Sequence, residues 1–357
     1  MEKTFKGWKV IDLSTVLAGP SVGMFFAELG AEVIKIENPE NGDVTRSWKL
    51  PNEDPKSKVS AYFSSINYLK QYRKLDFSEE KGRQELFQLI ADADVVLMNF
   101  KFGTQKKLGI SDEILFEKNQ KLIIGKISGF GSNSDRVAYD LVLQAESGIM
   151  SMNGNDKSGP LKVPVAWIDV LAAHQLKQGL LIAILEKKSN KDLKGKVVTV
   201  SLYDAAVSSL LNQASNYLMT GNIPQRIGSL HPNIAPYGEL FITKDGGLIT
   251  FAIGSDKHFK LLCSFFRRPD IAENEKFSTV QERVKNRMEL FQILQVLINQ
   301  VDANVILEGM RALHVPCAKI KNVKEVFEDE KAQQLVRTEV IDGIETKRVT
   351  SIAFRFE

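Results

Sequence analysis

The sequence predicts an α/β protein with a large, doubly wound, Rossmann-like domain and a smaller α+β domain. Three observations carry that expectation. Short apolar runs alternate with helical periods through the first half of the chain, glycines and prolines crowd together after Thr220, and two strand-like runs around a tight-turn signal follow them.

From Lys9 to Glu37 the chain reads strand, loop, helix, strand. VIDL is a short apolar run, Pro20 sits where a helix can begin, and Gly30 can close it before EVIKIE, which makes one parallel βαβ unit. In a second unit Ser78 is placed to cap the helical EEKGRQELFQLIADA, ahead of the buried-looking strand DVVLMNF. LIIGKISGFG then runs from a strand into a Gly-rich loop. The stretch Val170 to Lys188 has a helical period and ends in KKSNKDLKGK, a solvated connection before the strand VVTVSL. Tyr203 to Thr220 reads as one long helix. Gly221, Pro224, Gly228, Pro232, Pro236 and Gly238 then mark a domain boundary. Beyond it, YGELFITKDGGLITFAIG reads as two strands around Lys-Asp-Gly-Gly, and Lys257 to Phe327 is mostly helical in pattern.

Composition narrows the function. The 357 residues, 43% hydrophobic and 25% charged, are those of a globular chain with ample core. Basic and acidic side chains, 47 against 44, nearly balance, so no nucleic-acid or anionic-membrane partner is expected. MEKTFKGWKV lacks a leader pattern, and no apolar stretch is read as membrane-spanning. Cys263 and Cys317 make no disulfide framework, which points to a reducing, cytoplasmic setting with both thiols buried and inert. His174, His231, His258 and His314 are scattered without ligand spacing, so no metal site is expected.

Two segments invite chemistry. Glu37 follows the first glycine-bearing loop by roughly 20 residues, as a dinucleotide fingerprint expects. The loop itself reads Ala18-Gly19-Pro20-Ser21-Val22-Gly23, however, and Pro20 has no N–H to offer a pyrophosphate. Asp169 lies among Trp167, Ile168, Val170 and Leu171 at the start of a helical period. A carboxylate there is either a helix N-cap or a nucleophile whose reactivity is set by desolvation, and local physics alone favours the cap.

Six segments in order carry a resemblance over nearly the whole chain. They are GWKVIDLSTVLAGPSVGMFFAELGAEVIKIENPENGDVTR, NFKFGTQKKLGI, ISGFGSNSDRVAYDLVLQAESGIMSMNG, the Asp169 segment, GKVVTVSLYDAAV and GSLHPNIAPYGELFITKDGGLITFAIGSDKHF. Together they resemble the class III CoA-transferases, the family of formyl-CoA:oxalate and carnitine CoA-transferases that also includes α-methylacyl-CoA racemase. The resemblance implies that Asp169 is a nucleophile forming a mixed anhydride and then an enzyme-bound thioester. It implies CoA contacts at Val16, Leu17, Ala18, Asn99, Phe100, Lys107, Leu108, Arg136 and Tyr139, with backbone N–H groups of Thr15 to Ala18 or around Gly129 as oxyanion donors. Coenzyme A and acyl-CoA are then substrates, a small carboxylic acid is the acceptor, and no permanently bound cofactor is implied.

The racemases carry histidine where this chain has Ala138-Tyr139-Asp140, and a tyrosine with an ordinary pKa near 10 is a poor base at neutral pH. Transferase is therefore favoured over 2-methylacyl-CoA racemase and over a non-catalytic acyl-CoA-binding protein. The family's N-R-G-K-R-S reads Asn67-Tyr68-Leu69-Lys70-Gln71-Tyr72 here, and Asn38 stands where formyl-type members carry arginine, so fewer cations are expected near CoA phosphates. The resemblance further implies a large domain over 1–220, a small domain over 236–327 and a return segment over 328–357, in an interlocked-ring homodimer. HPNIAPYGE around His231 would then face the acyl group across the interface.

Overall fold

The computed structural model describes residues 3–190 and 192–355. The first residues of the expected large domain (1 and 2), one lysine of the KKSNKDLKGK connection (191) and the end of the return segment (356 and 357) lie outside the described residues.

Strands β1 (Lys9–Asp12), β2 (Glu32–Glu37), β3 (Gln71–Lys74), β4 (Val95–Met98), β5 (Ile123–Ser128) and β6 (Lys196–Ser201) form one parallel sheet in the order β3-β2-β1-β4-β5-β6. Helices α1 (Ala18–Glu28), α2 (Glu80–Ala91), α3 (Asp140–Glu146) and α4 (Trp167–Ser189) belong to the same unit. The strand order reverses between β1 and β4, and in open α/β sheets that switch point is where a crevice opens at the carboxyl ends of the strands. Alternation along each strand explains why both faces are covered. Val10, Val33, Val95 and Ile123 join one core cluster with α1 and α4, while Ile11, Ile34, Val96 and Ile124 join another with Leu86 and Ile90 of α2.

Among the described residues, α4 is the helix long and apolar enough to cross a membrane, which corrects the expectation that no such stretch exists. Its apolarity has another use here. Ile168, Ala172, Leu176, Leu180 and Ile184 are buried in the core against the sheet.

Charge is buried as well. Asp12 and Lys70 pair at 2.8 Å, and Lys35 and Asp43 at 2.9 Å, all four carrying side chains shut off from solvent. Lys70 Nζ also donates to the carbonyl of Pro20 at 2.7 Å and to Asn67 Oδ1 at 2.9 Å. Burial alone would raise the Asp12 carboxyl, but Lys70 and Lys35 outweigh it and hold it below its ordinary range. Burial pushes the Lys70 ammonium down to about 8 against the pull of Asp12.

The glycines of Ala18-Gly19-Pro20-Ser21-Val22-Gly23 serve this packing. A Cβ on Gly19 would sit 2.3 Å from Ser14 Cβ, and one on Gly23 would sit 3.0 Å from Asp12 Oδ2. Helix α1 begins at Ala18, two residues before Pro20.

Helices α5 (Leu202–Ser208) and α6 (Leu211–Thr220) replace the single helix expected over Tyr203 to Thr220. Leu211 stands at φ 40°, and the Ser208 and Ser209 hydroxyls bond back to Ala205 and Ala206 carbonyls, a local alternative that competes with the helical ladder. Nor does Ser78 cap α2. Its N–H and hydroxyl both donate to Asp76, and Glu79 occupies the cap position.

The chain divides into two units: Met1–Met150, Lys162–Ile223 and Gln333–Glu357 form one, Ser151–Leu161 and Pro224–Ala332 the other. The segment Ser151–Leu161 thus leaves the stretch 1–220 and joins the second unit, where Gly228 N–H donates to the Gly154 carbonyl at 2.7 Å and Arg226 to the Ser151 carbonyl at 3.0 Å. In that unit β7 (Tyr237–Ile242), β8 (Leu248–Ala252) and β9 (Cys317–Lys319) form an antiparallel sheet, turning between β7 and β8 at Lys244 to Gly247. It packs on helices α7 (Asp256–Phe265), α8 (Arg287–Ile298) and α9 (Ala303–Ala312) through Phe241, Phe251, Phe259 and Met310. The return begins at Gln333 and forms the hairpin of β10 (Val336–Ile341) and β11 (Ile344–Val349), with Ile341 packed on Val59 and Phe63 of the first unit.

Replacing Lys70 by methionine leaves the Asp12 carboxylate buried without its counter-charge. Urea unfolding is expected to show a loss of about 3–5 kcal/mol, part of it recovered in the Lys70→Met/Asp12→Asn double variant.

Candidate active site

A cavity of about 210 Å³ lies at the switch point of the parallel sheet. The loop after β1 supplies Thr15 to Ala18, the loop after β4 supplies Asn99 to Phe102, and Arg136 to Asp140 with Asp169 close the remaining wall. The structure thus brings Val16, Leu17, Ala18, Asn99, Phe100, Arg136, Tyr139 and Asp169 together around one space. Leu108 lines a second cavity of about 330 Å³, which shares Thr15 and Phe100 with the first and is floored by Lys35, Asp43 and Phe77. Lys107 is exposed at the end of a short helix and lines neither cavity.

Asp169 is the third residue of α4 and only 9% exposed. It is not the cap that local physics favoured. Ala166 holds the N-cap position without a side-chain bond, and the capping is done from elsewhere in the chain: Asp140 Oδ1 accepts the Ile168 N–H at 2.7 Å. Gln144 braces this arrangement, donating to Asp140 Oδ2 at 2.6 Å and accepting the Val163 N–H at 2.7 Å. Among the described residues nothing hydrogen-bonds the Asp169 carboxylate. Burial, and then the neighbouring charge of Asp140, push it up to about 7. The first turn of a helix favours an anion, but burial outweighs that preference here.

Asp140 and Gln144 therefore belong to the site, although sequence reading gave neither a role; the one signal was an acid adjoining Tyr139. Burial, and then the charges of Asp169 and Asp140, push the Tyr62 hydroxyl up to about 12, although Tyr62 does not line the cavity.

The β1 loop is held rigidly. Asn99 Oδ1 accepts the Thr15 N–H at 3.0 Å while its Nδ2 donates to the Thr15 carbonyl at 2.8 Å, so the amide of Asn99 is committed to the loop. Val16 follows at φ 71°, a conformation that β-branched residues rarely adopt. Arg136 lies 3.7 Å over the Phe130 ring and pairs with Glu146, whereas Tyr139, at the N-cap of α3, is 57% exposed. Phe100 packs edge-on against Phe77 with centroids 6.1 Å apart. His231 is in the second unit, its carbonyl accepting from Arg287 at 2.6 Å. Cys263 is buried and Cys317 half-buried in that unit, and burial pushes both thiols up to about 12.

The chain as a whole has counterparts among known proteins. A family model described as CoA-transferase family III matches residues 5–357. The chain belongs to the class III CoA-transferases. A succinate–glutarate CoA-transferase of Agrobacterium fabrum is 35% identical over 92% of this chain and 82% of its own length. A succinyl-CoA:mesaconate CoA-transferase of Haloarcula hispanica is 31% identical over 90% of this chain and 81% of its own. Among solved structures, a CAIB/BAIF family protein from Brucella suis superposes with a TM-score of 0.87 at 34% identity, covering 98% of this chain and 92% of that one. This CoA-transferase has the mixed α/β architecture of that structure, with the large parallel sheet and the small antiparallel ones.

A carboxyl whose folded pKa lies above its unfolded value stabilises the fold at low pH, and that contribution is lost as pH rises through the folded value, here about 7. Asp169→Asn is accordingly expected to stabilise this CoA-transferase by roughly 2–4 kcal/mol at about pH 8 and to have little effect near pH 4, measured by urea unfolding at the two pH values.

Proposed function

We propose that this class III CoA-transferase moves CoA from an acyl-CoA to a small carboxylic acid through covalent intermediates on Asp169. The observation that carries the reading is the Asp169 carboxylate itself: nearly buried, without a hydrogen bond from the described residues, and lining a cavity that the loops of the switch point surround. A carboxylate stripped of water and of donors is a stronger nucleophile than a solvated one.

In the first step an Asp169 oxygen attacks the acyl carbonyl of the thioester, the C–S bond breaks, and CoA leaves as thiolate with a mixed anhydride on the enzyme. The thiolate then attacks the Asp169 carbonyl carbon of the anhydride and releases the donor acid as carboxylate. An acceptor carboxylate attacks the resulting aspartyl thioester, forming a second anhydride and CoA thiolate. Attack of the thiolate on the acceptor's acyl carbon gives the new acyl-CoA and regenerates the Asp169 carboxylate. Every step is an acyl transfer that consumes neither a redox equivalent nor a net proton, so we propose no permanently bound cofactor.

Each tetrahedral intermediate needs fixed donors at its oxyanion. The N–H groups of Val16, Leu17 and Ala18 suit that role, since they take no protein acceptor among the described residues. For CoA, Phe100 and Leu108 offer apolar contact to pantetheine or adenine, and the exposed Lys107 and the half-exposed Arg136 offer charge to phosphates. Tyr139 is assigned to the thioester wall. Asn99 is assigned to CoA contact through the loop that it holds.

The names of the two relatives support dicarboxylic acids as donor and acceptor. We further propose the interlocked homodimer, with HPNIAPYGE around His231 facing the acyl group of the partner, and a cytoplasmic location. Solution scattering is expected to give the mass of a dimer at micromolar concentration, and a monomer there overturns that assembly.

The covalent mechanism is tested by intact-protein mass spectrometry after mixing with a panel of acyl-CoAs. An adduct that hydroxylamine removes and Asp169→Ala abolishes is the expected outcome. Retained CoA binding with no adduct from any donor overturns the mechanism, and α-deuterium exchange then distinguishes a racemase from a binder.

A further inference from the structure

Ser14 is tied to buried charge through every polar group it has. Its N–H and its hydroxyl donate to Asp12 Oδ1, the former at 3.0 Å, and its carbonyl accepts Lys35 Nζ at 2.7 Å. Thr15 is held through both of its backbone groups by Asn99. The holding residues come from the end of β1, from β2 and from just beyond β4, so the loop is pinned from both sides of the switch point. From behind, Gly19 lies so close that an added Cβ would collide with Ser14. The next residue, Val16, then turns into the left-handed region at φ 71° and borders the cavity together with Leu17 and Ala18.

We infer that Asp12, Lys35 and Asn99 are positioning residues of the transfer reaction: they clamp Ser14 and Thr15 so that Val16 keeps the left-handed turn that shapes the cavity wall facing Asp169. Two features separate this from ordinary packing. A glycine would satisfy φ 71° without strain, yet the position holds a β-branched residue, whose narrow range of backbone angles stiffens the turn once the clamp has forced it there. The clamp also places fully buried charges on a loop of the candidate active site, where neutral polar groups could have closed the same backbone hydrogen bonds. The inference rests on the reading of this cavity as the site of CoA transfer.

The test is a double-variant cycle in the full chain on Val16→Gly and Asn99→Ala, with CoA transfer, acyl-CoA affinity and thermal midpoint measured for each. Val16→Gly is expected to keep or raise the midpoint while lowering kcat at least about tenfold, with KM for acyl-CoA within about threefold of wild type. Asn99→Ala is expected to lower kcat similarly, but to cost little more once Val16 is already glycine, because the clamp then has nothing left to hold. Lys35→Met is expected to follow Asn99→Ala where it folds; where it does not, the cycle carries the test. Additive effects of the two substitutions, or a kcat for Val16→Gly within about twofold of wild type, overturn the clamp while leaving the Asp169 mechanism standing. A wild type that transfers CoA from no donor overturns the functional reading and the clamp with it.

Discussion

The pairing of Asp12 with Lys70, and of Lys35 with Asp43, beneath the carboxyl end of β1 is the constraint on which the rest of the site depends. Four charges taken out of water cost several kcal/mol each, and the cost is offset by pairing each with an opposite charge and by the further hydrogen bonds these residues make. Meeting that condition leaves little freedom. Lys70 must reach the Pro20 carbonyl, which draws the start of α1 over the pair, and Gly23 must lack a side chain where the helix passes. Asp43 must accept from Thr45, and Glu37 must grip Arg46 through two bonds of 2.8 and 2.7 Å, which folds the segment after β2 back onto the sheet. The loop that walls the cavity is the residue of these requirements.

Asp169 illustrates how position and solvation oppose each other. The helix N-terminus offers an anion a favourable field, while burial and the proximity of Asp140 disfavour the charge, and the second pair wins. Had Asp169 been the N-cap, its oxygens would have been spent on backbone N–H groups and its charge held stable and inert. Asp140 takes over that structural duty, and this leaves Asp169 without it. The two acids thus divide one helix terminus between them, one as cap and one as nucleophile in the mechanism proposed above.

Ordering in the second unit follows the same logic with arginines. Arg283 is fully buried and donates to the carbonyls of Ala235 at 2.8 Å and Phe277 at 3.0 Å while pairing with Asp256. Arg287 holds the carbonyls of His231 and Ile234 and lies against Glu239. A stretch rich in proline and glycine, which has few backbone partners of its own, is thereby given a fixed path by cations from a neighbouring helical segment. Such loops read as breaks in pattern from sequence, and their order comes from residues some fifty positions away.

How much was legible varied with the range of the determining contact. Apolar runs such as VVLM and IIGKI announced buried strands, because burial on both faces demands them, and Lys-Asp-Gly-Gly announced its hairpin through turn chemistry. Lys35 and Lys70, by contrast, sit in EVIKIE and NYLKQY as ordinary charged residues, and nothing local says that each is buried against an acid. The break at Leu211, the cap at Glu79 in place of Ser78 and the joining of Ser151–Leu161 to the second unit were likewise decided by contacts that the local pattern does not contain. By itself the sequence determined the alternation of strands and helices, and through six ordered motifs the family, because periodicity and motif order are properties of the chain read in one dimension. Only the tertiary structure decided that Asp140 caps the helix while Asp169 lines the cavity with no hydrogen bond from the described residues, because that outcome depends on which carboxylate comes within hydrogen-bond reach of the Ile168 N–H, and so on three-dimensional proximity.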